Sequence, residues 1–334
     1  MFDVVVVGTG IIGLTSATRI RQQGLRVLLV GADPPERTVS AIAAAVWYPT
    51  RTEGTTAVLD WARRTFDEFA EQARQAVPGV VMRPTRMLLR STVDVPPWWG
   101  AAVPDLRYYP IAEPGSAGSG PADGGPAGRP DAVVAEWRCT MPTVEMRPYL
   151  RWLAERFRAA GGVTSRRGLA TLAQAAETAP VVVNATGLAA GRLADDPAVH
   201  PVRGQVVLMA NPGIVTSVRD ERHPDGPTYV HPRGRDVVLG GTFEPYADSL
   251  LPDPAVARAI VARCTAMVPE LAGARVLDHL VGLRPARHGG VRLAVDPAPP
   301  RGVARLIHCY GHGGAGMTLS WGCADEVAAL ATAC

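Results

Sequence analysis

The sequence contains no lysine at all, so each of its 34 basic side chains is an arginine. Because 31 acidic residues oppose them, the formal net charge of the 334-residue chain is only +3. The arginines form no basic block and no basic stripe interleaved with aromatic residues, which argues against nucleic acid as the main partner. We attribute the missing lysine, together with abundant alanine, glycine and proline, to coding bias and not to function.

Cysteine is scarce, odd in number and scattered, and no two cysteines have the spacing of a metal-binding motif: Cys139, Cys264, Cys309, Cys323 and Cys334. This pattern predicts reduced, buried thiols in a cytosolic protein and no metal centre. No apolar run approaches the roughly 20 residues of a membrane span. The first residues enter a strand without a charged leader, and the last residues carry no Ser-Lys-Leu address. We therefore expect a cytoplasmic protein that has no membrane association.

The first informative pattern in the sequence is a run of four valines at residues 4–7, which predicts a fully buried strand. The strand ends in a G-x-G-x-x-G pattern at Gly8, Gly10 and Gly13, followed by helical spacing and a second apolar strand at 25–30. In this β-α-β context, the glycines allow a tight turn and close approach to a pyrophosphate. The stretch therefore predicts a dinucleotide site, the alternative being an ordinary glycine-rich turn.

Asp33 is the candidate for the carboxylate that binds the ribose, because it follows the second strand at about the usual distance. Two prolines follow it directly, so a plain turn residue is the other interpretation.

A second valine-rich strand at 181–183 also ends in small residues, with Thr186 and Gly187 in its turn. Two such strands predict one ligand site at their carboxyl ends. From residue 202 onward the pattern is mostly that of antiparallel strands. The fold class is therefore a mixed α/β (α+β) architecture, in which a Rossmann-like dinucleotide-binding domain is interleaved with a second domain on a mostly antiparallel sheet.

Near the end of the chain, Gly313, Gly314 and Gly316 directly precede a new helix. The N–H groups and dipole at a helix N-terminus favour an electron-rich group. The pyrimidine end of a flavin is such a group, whereas a nicotinamide has no need for this helix, so FAD is favoured over NAD.

Two polar segments stand apart from these patterns. Residues 112–131 are rich in glycine, proline, serine and alanine and predict a mobile loop, because they bury too little apolar surface to offset their ordering entropy. Residues 217–226 are polar and predict a flexible lid.

Taken in order, the motifs resemble those of the D-amino-acid oxidase branch of FAD-dependent oxidases with a glutathione-reductase-like fold. The two most specific stretches are 282–285 and 310–318, while 112–131 and the predicted lid are not covered. The matching stretches are 8–13, 43–49, 183–187, 202–205, 240–243, 282–285, 310–318 and 321–322.

The resemblance implies an FAD-binding domain of residues 1–75, 140–200 and 300–334, and a substrate-binding domain of residues 76–139 and 201–299. It also implies a set of FAD-binding residues: Gly8, Gly10, Ile11, Ile12, Gly13, Asp33, Thr38, Ser40, Ala44, Ala45, Val46, Leu169, Thr186, Gly187, Arg284, Gly313, Gly314, Ala315, Gly316, Met317 and Thr318.

In this family a D-amino acid loses its α-hydride to the flavin, and the resulting imino acid hydrolyses to a 2-oxo acid while O2 becomes hydrogen peroxide. The resemblance makes Arg284 the bidentate partner of the substrate carboxylate, with Tyr229 donating to the same group. The carbonyl of Gly314 would accept from the amine. No acid or base residue is required, and we expect His312 to brace the glycine turn.

Departures from the family pattern bear on the substrate. Asp225 stands where the vertebrate-type lid has a second tyrosine, and Phe243 stands where the branch acting on acidic substrates has an arginine. We therefore expect neutral or apolar D-amino acids, although Arg219 and Arg222 on the lid could recruit a carboxylate. Tyr48 and Phe243 are candidate walls of the side-chain pocket, or plain core aromatics.

Alternatives remain open at this point. Relatives with this fold act on glycine, sarcosine or D-aspartate, and a dinucleotide-binding protein without turnover or an NAD-dependent dehydrogenase would share the first motif. Beyond a small-molecule substrate and O2 the sequence indicates no partner, and it leaves a homodimer open.

Overall fold

The computed structural model describes residues 2–49, 51–111 and 132–333. The loop predicted at 112–131 and the thiol of Cys334 lie outside the described residues. The helices are α1 Ile11–Gln22, α2 Thr56–Arg74, α3 Met146–Ala159, α4 Ala173–Ala176, α5 Ala190–Leu193, α6 Pro254–Met267 and α7 Gly316–Thr332. The strands are β1 Val4–Val7, β2 Val27–Gly31, β3 Val80–Leu89, β4 Arg107–Pro110, β5 Ala135–Val144, β6 Val163–Arg166, β7 Val181–Asn184, β8 Val199–Ala210, β9 Ser217–Asp220, β10 Thr228–Pro232, β11 Asp236–Gly240, β12 Glu244–Pro245, β13 Val276–Arg287, β14 Arg292–Val295 and β15 Arg305–Tyr310.

The first sheet has the order β14-β15-β7-β1-β2-β6 and is parallel except for β14. β1 lies inside it with all four valines buried, and Val4 pairs with Val27 on one side and Val181 on the other. The predicted β-α-β unit and the predicted return of the second valine-rich strand to this sheet are both confirmed. As a result, the turns after β1, β7 and β15 meet at one edge.

Helices cover both faces of this sheet. On one face α1, α2, α3 and α7 join β1 in a large apolar core, and on the other α4 packs against the opposite side chains of the same strand. α2 and α7 approach so closely that a Cβ built on Gly322 would lie 2.3 Å from the backbone of Trp61. The amide of Gly322 donates to Thr65 Oγ1 at 3.0 Å in the same contact.

The second sheet has nine strands in the described part of the chain, ordered β12-β8-β11-β10-β9-β3-β5-β4, with β13 also paired to β8. Nearly all its pairs are antiparallel, the exception being β3 with β9. β8 and β13 form a long ladder in which Gly204 faces Gly282 and Val202 faces Arg284. Helix α6 packs on this sheet through Ile260 and Cys264, among others. The predicted mixed architecture is confirmed.

The predicted lid at 217–226 is wrong for its first four residues. Ser217–Asp220 form β9, an inner strand that is buried along its whole length. Polar composition misled the prediction because polar side chains of this strand have buried partners: Ser217 Oγ lies 2.9 Å from His231 Nδ1, and Asp220 accepts from Arg90 Nε at 2.8 Å.

The strands of the first sheet come from the beginning, the middle and the end of the chain, as an interleaved architecture requires. β14 pairs with β15 in this sheet although it falls within the predicted substrate-binding segment 201–299. The domain boundaries themselves stay a prediction. Among the described residues no helix is both long enough and apolar enough to span a membrane.

The contact between α2 and α7 gives a stability test. Gly322→Ala should lower the free energy of unfolding by about 1–3 kcal/mol, because overpacking against fixed backbone forces the helices apart. Thermal and denaturant unfolding measure the loss. Gly234→Ala is the matched control, since its Cβ would meet nothing closer than Glu145 Oε2 at 3.9 Å. Equal midpoints for the two variants would contradict the close contact.

Candidate active site

One cavity of about 750 Å³ lies where the carboxyl ends of β1, β7 and β15 meet the second sheet. Of the predicted cofactor- and substrate-binding residues, only Gly13 and Ala315 fail to line it, and Arg222, named from the sequence as a possible carboxylate partner, does not line it either. The cavity brings together Gly8, Gly10, Ile11, Ile12, Asp33, Thr38, Ser40, Ala44, Ala45, Val46, Tyr48, Leu169, Thr186, Gly187, Tyr229, Phe243, Arg284, Gly313, Gly314, Gly316, Met317 and Thr318.

The first glycine turn is tight at two positions. Gly8 has φ +120°, and a Cβ there would lie 2.2 Å from the carbonyl oxygen of Ala185. A Cβ on Gly13 would lie 1.7 Å from Gly8 O, so this glycine serves the packing of α1 against the turn. The turn thus holds the start of α1 at the cavity, with Ile11 N–H donating to Ser40 Oγ at 3.0 Å.

Within this turn, the hydroxyl of Thr9 donates to the backbone carbonyl of Asp33 at 2.6 Å. Because this hydrogen bond uses the backbone of Asp33, its carboxylate is left available to a ligand. The side chain is exposed at the mouth of the cavity, where a ribose-binding carboxylate is expected.

The second glycine turn joins β15 to α7. Gly313 has φ +53°, and the carbonyl of His312 accepts from Ala315 N–H at 2.9 Å. His312 therefore braces the turn through its backbone, as expected. The hydroxyl of Thr318 is fully used, since it accepts from Tyr48 N–H and donates to Tyr48 O, both at 3.0 Å. It fastens α7 to the segment that carries Tyr48.

Arg284 extends from β13 across the neighbouring strand β8. A Cβ on Gly204 would lie 2.2–2.4 Å from the guanidinium group, so only glycine leaves room for it there. Nη1 donates to the carbonyls of Arg203 at 3.3 Å and Thr242 at 3.2 Å. Both contacts hold one edge of the guanidinium, which lines the cavity. The sequence stretch 202–205 was noticed, but this role of Gly204 was missed.

Tyr229 lies flat over a second pair of glycines. A Cβ on Gly240 would be 2.0 Å from its ring, and one on Gly241 would be 2.8 Å from its hydroxyl. The ring also stacks on His231 at 4.7 Å between centroids. Burial raises the pKa of Tyr229, so its hydroxyl stays protonated and can donate.

A charged group that sequence reasoning did not assemble lies beside these residues in the cavity. Arg219 forms an ion pair with Glu221 and lies 3.5 Å above the ring of Tyr48. Arg51 lies 3.9 Å above the ring of Phe243. In the sequence, the only sign of this charged group was the polar stretch 217–226, which contains Arg219 and Glu221 but not Arg51.

Two of the buried cysteines, Cys309 and Cys323, lie close together in the fold. Ligand atoms of Cys309, His312 and Cys323 lie within 4.8 Å of one another, a donor set that could hold a metal ion. A hydrogen bond with Cys323 lowers the pKa of the Cys309 thiol below its usual value. Sequence spacing gave no sign of this cluster, because a strand, a turn and a helix supply one residue each.

Comparison with known proteins bears on what this cavity holds. A family described as FAD dependent oxidoreductase matches residues 3–330. The chain belongs to this family. This FAD-dependent oxidoreductase is 46% identical over 331 residues to a D-amino-acid oxidase of Rubrobacter xylanophilus, with 98% of the chain and 95% of the relative aligned. It is 45% identical to a D-amino-acid oxidase of Streptomyces coelicolor, covering 99% of the chain and 97% of the relative.

Among solved structures, the oxidoreductase fold resembles that of glycine oxidase from Geobacillus kaustophilus. The TM-score is 0.78 over 99% of this chain and 94% of that one. Because the identity is only 18%, this likeness shows the fold alone.

FAD fits the residues that line the cavity. The turn at Gly8 places the N-terminal end of α1 where a pyrophosphate would be bound. Between the two turns the walls are mostly small or apolar residues, which suit a flat ring system. The start of α7 provides a second set of N–H groups at the opposite turn.

The turn at Gly8 gives a test of cofactor binding. Gly8→Ala should lose most of the FAD, because φ +120° is strained for alanine and the new methyl group meets Ala185 O. The ratio of flavin absorbance to protein after purification, and titration of the apoprotein with FAD, measure the loss. Gly234→Ala should bind as the wild type does, and wild-type FAD affinity in Gly8→Ala would refute the predicted turn.

Proposed function

We propose that this oxidoreductase is a D-amino-acid oxidase that acts on neutral and apolar D-amino acids. The overall reaction converts a D-amino acid, O2 and water to a 2-oxo acid, ammonia and hydrogen peroxide. The observation that carries the proposal is the guanidinium of Arg284, which lines the same cavity as both glycine turns. The names of the two aligned relatives support it.

In this proposal Arg284 binds the substrate carboxylate. Its edge that contacts Arg203 O and Thr242 O fixes the plane of the guanidinium, and the remaining N–H groups are directed to the carboxylate. The protonated hydroxyl of Tyr229 supplies a further donor. Both groups are pre-positioned because their strands are held in register by the second sheet, which reduces the entropy lost on binding.

The carbonyl of Gly314 accepts a hydrogen bond from the substrate amine. With the carboxylate and the amine both fixed, only one hand of the amino acid directs its α-hydrogen toward the cofactor. We assign no acid or base residue, since a neutral amine needs none. When bound, FAD accepts the α-hydride and transfers the two electrons to O2.

We propose that the cofactor-binding residues given above retain this role, with three refinements. Gly13 and Ala315 act through packing, since neither lines the cavity. The side chain of Thr318 positions Tyr48, since its hydroxyl is used there.

Tyr48 and Phe243 are proposed as walls of the side-chain pocket. Each ring already has an arginine stacked on it, Arg219 on Tyr48 and Arg51 on Phe243. The rings thus present apolar surface between charged groups that are partly compensated by Glu221. This arrangement supports a preference for neutral side chains.

The buried Arg219 also supports a second candidate, oxidation of D-aspartate or D-glutamate, because a side-chain carboxylate would find a cation in the cavity. The glycine and sarcosine alternative rests on fold alone. The cytoplasmic location expected from the sequence stays a prediction.

A direct experiment tests the activity. The purified yellow protein should bleach under anaerobic conditions with D-methionine and should regain its colour in air. A peroxide assay should show D-alanine, D-methionine and D-phenylalanine as substrates ahead of glycine, sarcosine and D-aspartate. Failure of all D-amino acids to bleach the flavin would overturn the proposed function.

Substitution of Arg284 is the most direct test of its assignment to the substrate carboxylate. Arg284→Ala should keep most of its FAD, because the other cofactor-binding residues that line the cavity are unchanged, and should lower kcat/KM by about 10²–10⁴-fold, since two charge-assisted hydrogen bonds contribute about 1.5–3 kcal/mol each. Steady-state kinetics measure the loss. Arg284→Lys retains the charge without the fork and should lie between alanine and wild type. Unimpaired turnover in Arg284→Ala would remove the carboxylate assignment.

A further inference from the structure

Arg219 lies close to the proposed substrate carboxylate site. In the ladder of β9 with β10 it is directly paired with Tyr229, and its side chain is only 7% exposed. Its charge lowers the pKa of Tyr229 against the larger, opposite effect of burial. A fixed positive charge is therefore present in the cavity beside the proposed carboxylate site.

The guanidinium of Arg219 is only partly satisfied. Nη2 donates to Glu221 Oε1, whereas the buried Nε has no hydrogen-bond partner among the described residues. Burying an unpaired donor of a charged group is costly, so such a group is a natural anchor for an acceptor on a ligand.

Glu221 compensates this charge from within the same cavity. Burial would raise the pKa of Glu221, but Arg219 and Arg51 more than offset that effect and the pKa is lowered. The carboxylate is therefore ionised at neutral pH. It occupies the Nη2 side of the Arg219 guanidinium, one of the positions that a substrate side-chain carboxylate would otherwise take.

These charged residues are linked to Arg284 through the ring of Phe243. The guanidinium carbon of Arg51 lies 3.9 Å from the centre of this ring, and that of Arg284 lies 5.9 Å from it. Arg51, Arg219 and Glu221 thus line the same cavity as Arg284. Without the negative charge of Glu221, the positive charges of Arg51 and Arg219 would face the cavity uncompensated.

We infer that Glu221 determines substrate specificity: by pairing with Arg219 it keeps the side-chain pocket closed to acidic D-amino acids. A side-chain carboxylate entering the pocket meets the like charge of Glu221, which also neutralises the charge of Arg219 and holds its Nη2. Removing that single negative charge converts the pocket to one for D-glutamate and D-aspartate. The inference rests on the proposed function.

The test is Glu221→Gln, which keeps the shape and the hydrogen-bonding oxygen but removes the charge. The ratio of kcat/KM for D-glutamate to that for D-methionine should rise at least tenfold, mainly through a lower KM for D-glutamate. Binding without turnover gives a second measurement: the flavin spectrum should report tighter binding of malonate, a dicarboxylate, relative to benzoate.

Two further variants separate specificity from structure. Glu68→Gln removes the charge of a carboxylate that pairs with Arg19 at 2.6 Å, has 26% exposure against 32% for Glu221 and does not line the cavity; both ratios should match the wild type. In the double variant Glu221→Gln, Arg219→Leu the gain for D-glutamate and malonate should disappear, because the cation that captures the carboxylate is gone.

The outcomes distinguish this inference from the function beneath it. A wild type that oxidises D-methionine, combined with unchanged ratios in Glu221→Gln, overturns the role of Glu221 and leaves the oxidase activity standing. A wild type that already prefers D-aspartate overturns it as well. A wild type that oxidises no D-amino acid refutes the proposed function, while the malonate and benzoate measurements still test the effect of Glu221 on binding.

Discussion

The parallel pairing of β1, β7 and β15 is the constraint on which the rest of this structure depends. Because the three strands are neighbours with one direction, their carboxyl ends lie at one edge of the sheet. Two glycine-rich turns from opposite ends of the chain are thereby brought to one cavity, and α1 and α7 both begin there. Without this pairing, the first sheet would not place the two turns next to each other.

In the proposed function, the second sheet supplies the residues that recognise the substrate. Its strands place Arg284 and Tyr229 by register, and glycines beneath each side chain let it lie flat against the backbone. At both positions a methyl group would collide with the functional side chain. Small residues in this sheet are therefore as important to the site as the polar groups they support.

The sequence was sufficient for the features that depend on local pattern. Buried valine strands and glycine turns are recognisable within a few residues of sequence, and the family resemblance pointed to Arg284 and Tyr229, both of which line the cavity. The lid prediction failed for residues 217–220 because the partners of Ser217 and Asp220 are distant in the sequence, His231 on β10 and Arg90 just after β3, and composition cannot reveal them. Glu221 and Arg51 stayed unnoticed for the same reason, as did the cluster around Cys309, since only the fold brings them together.

The interleaved order of the first sheet has a consequence for biosynthesis. β1 leaves the ribosome early, but β7 and β15 are synthesised much later, and β15 closes the set only when the last strand has emerged. Before β7 emerges, β1 can pair only with β2, so its run of four valines has one unpaired edge, the kind of segment that associates with other nascent chains. The stretch that begins the cofactor site is thus also exposed to such association while the chain is being translated.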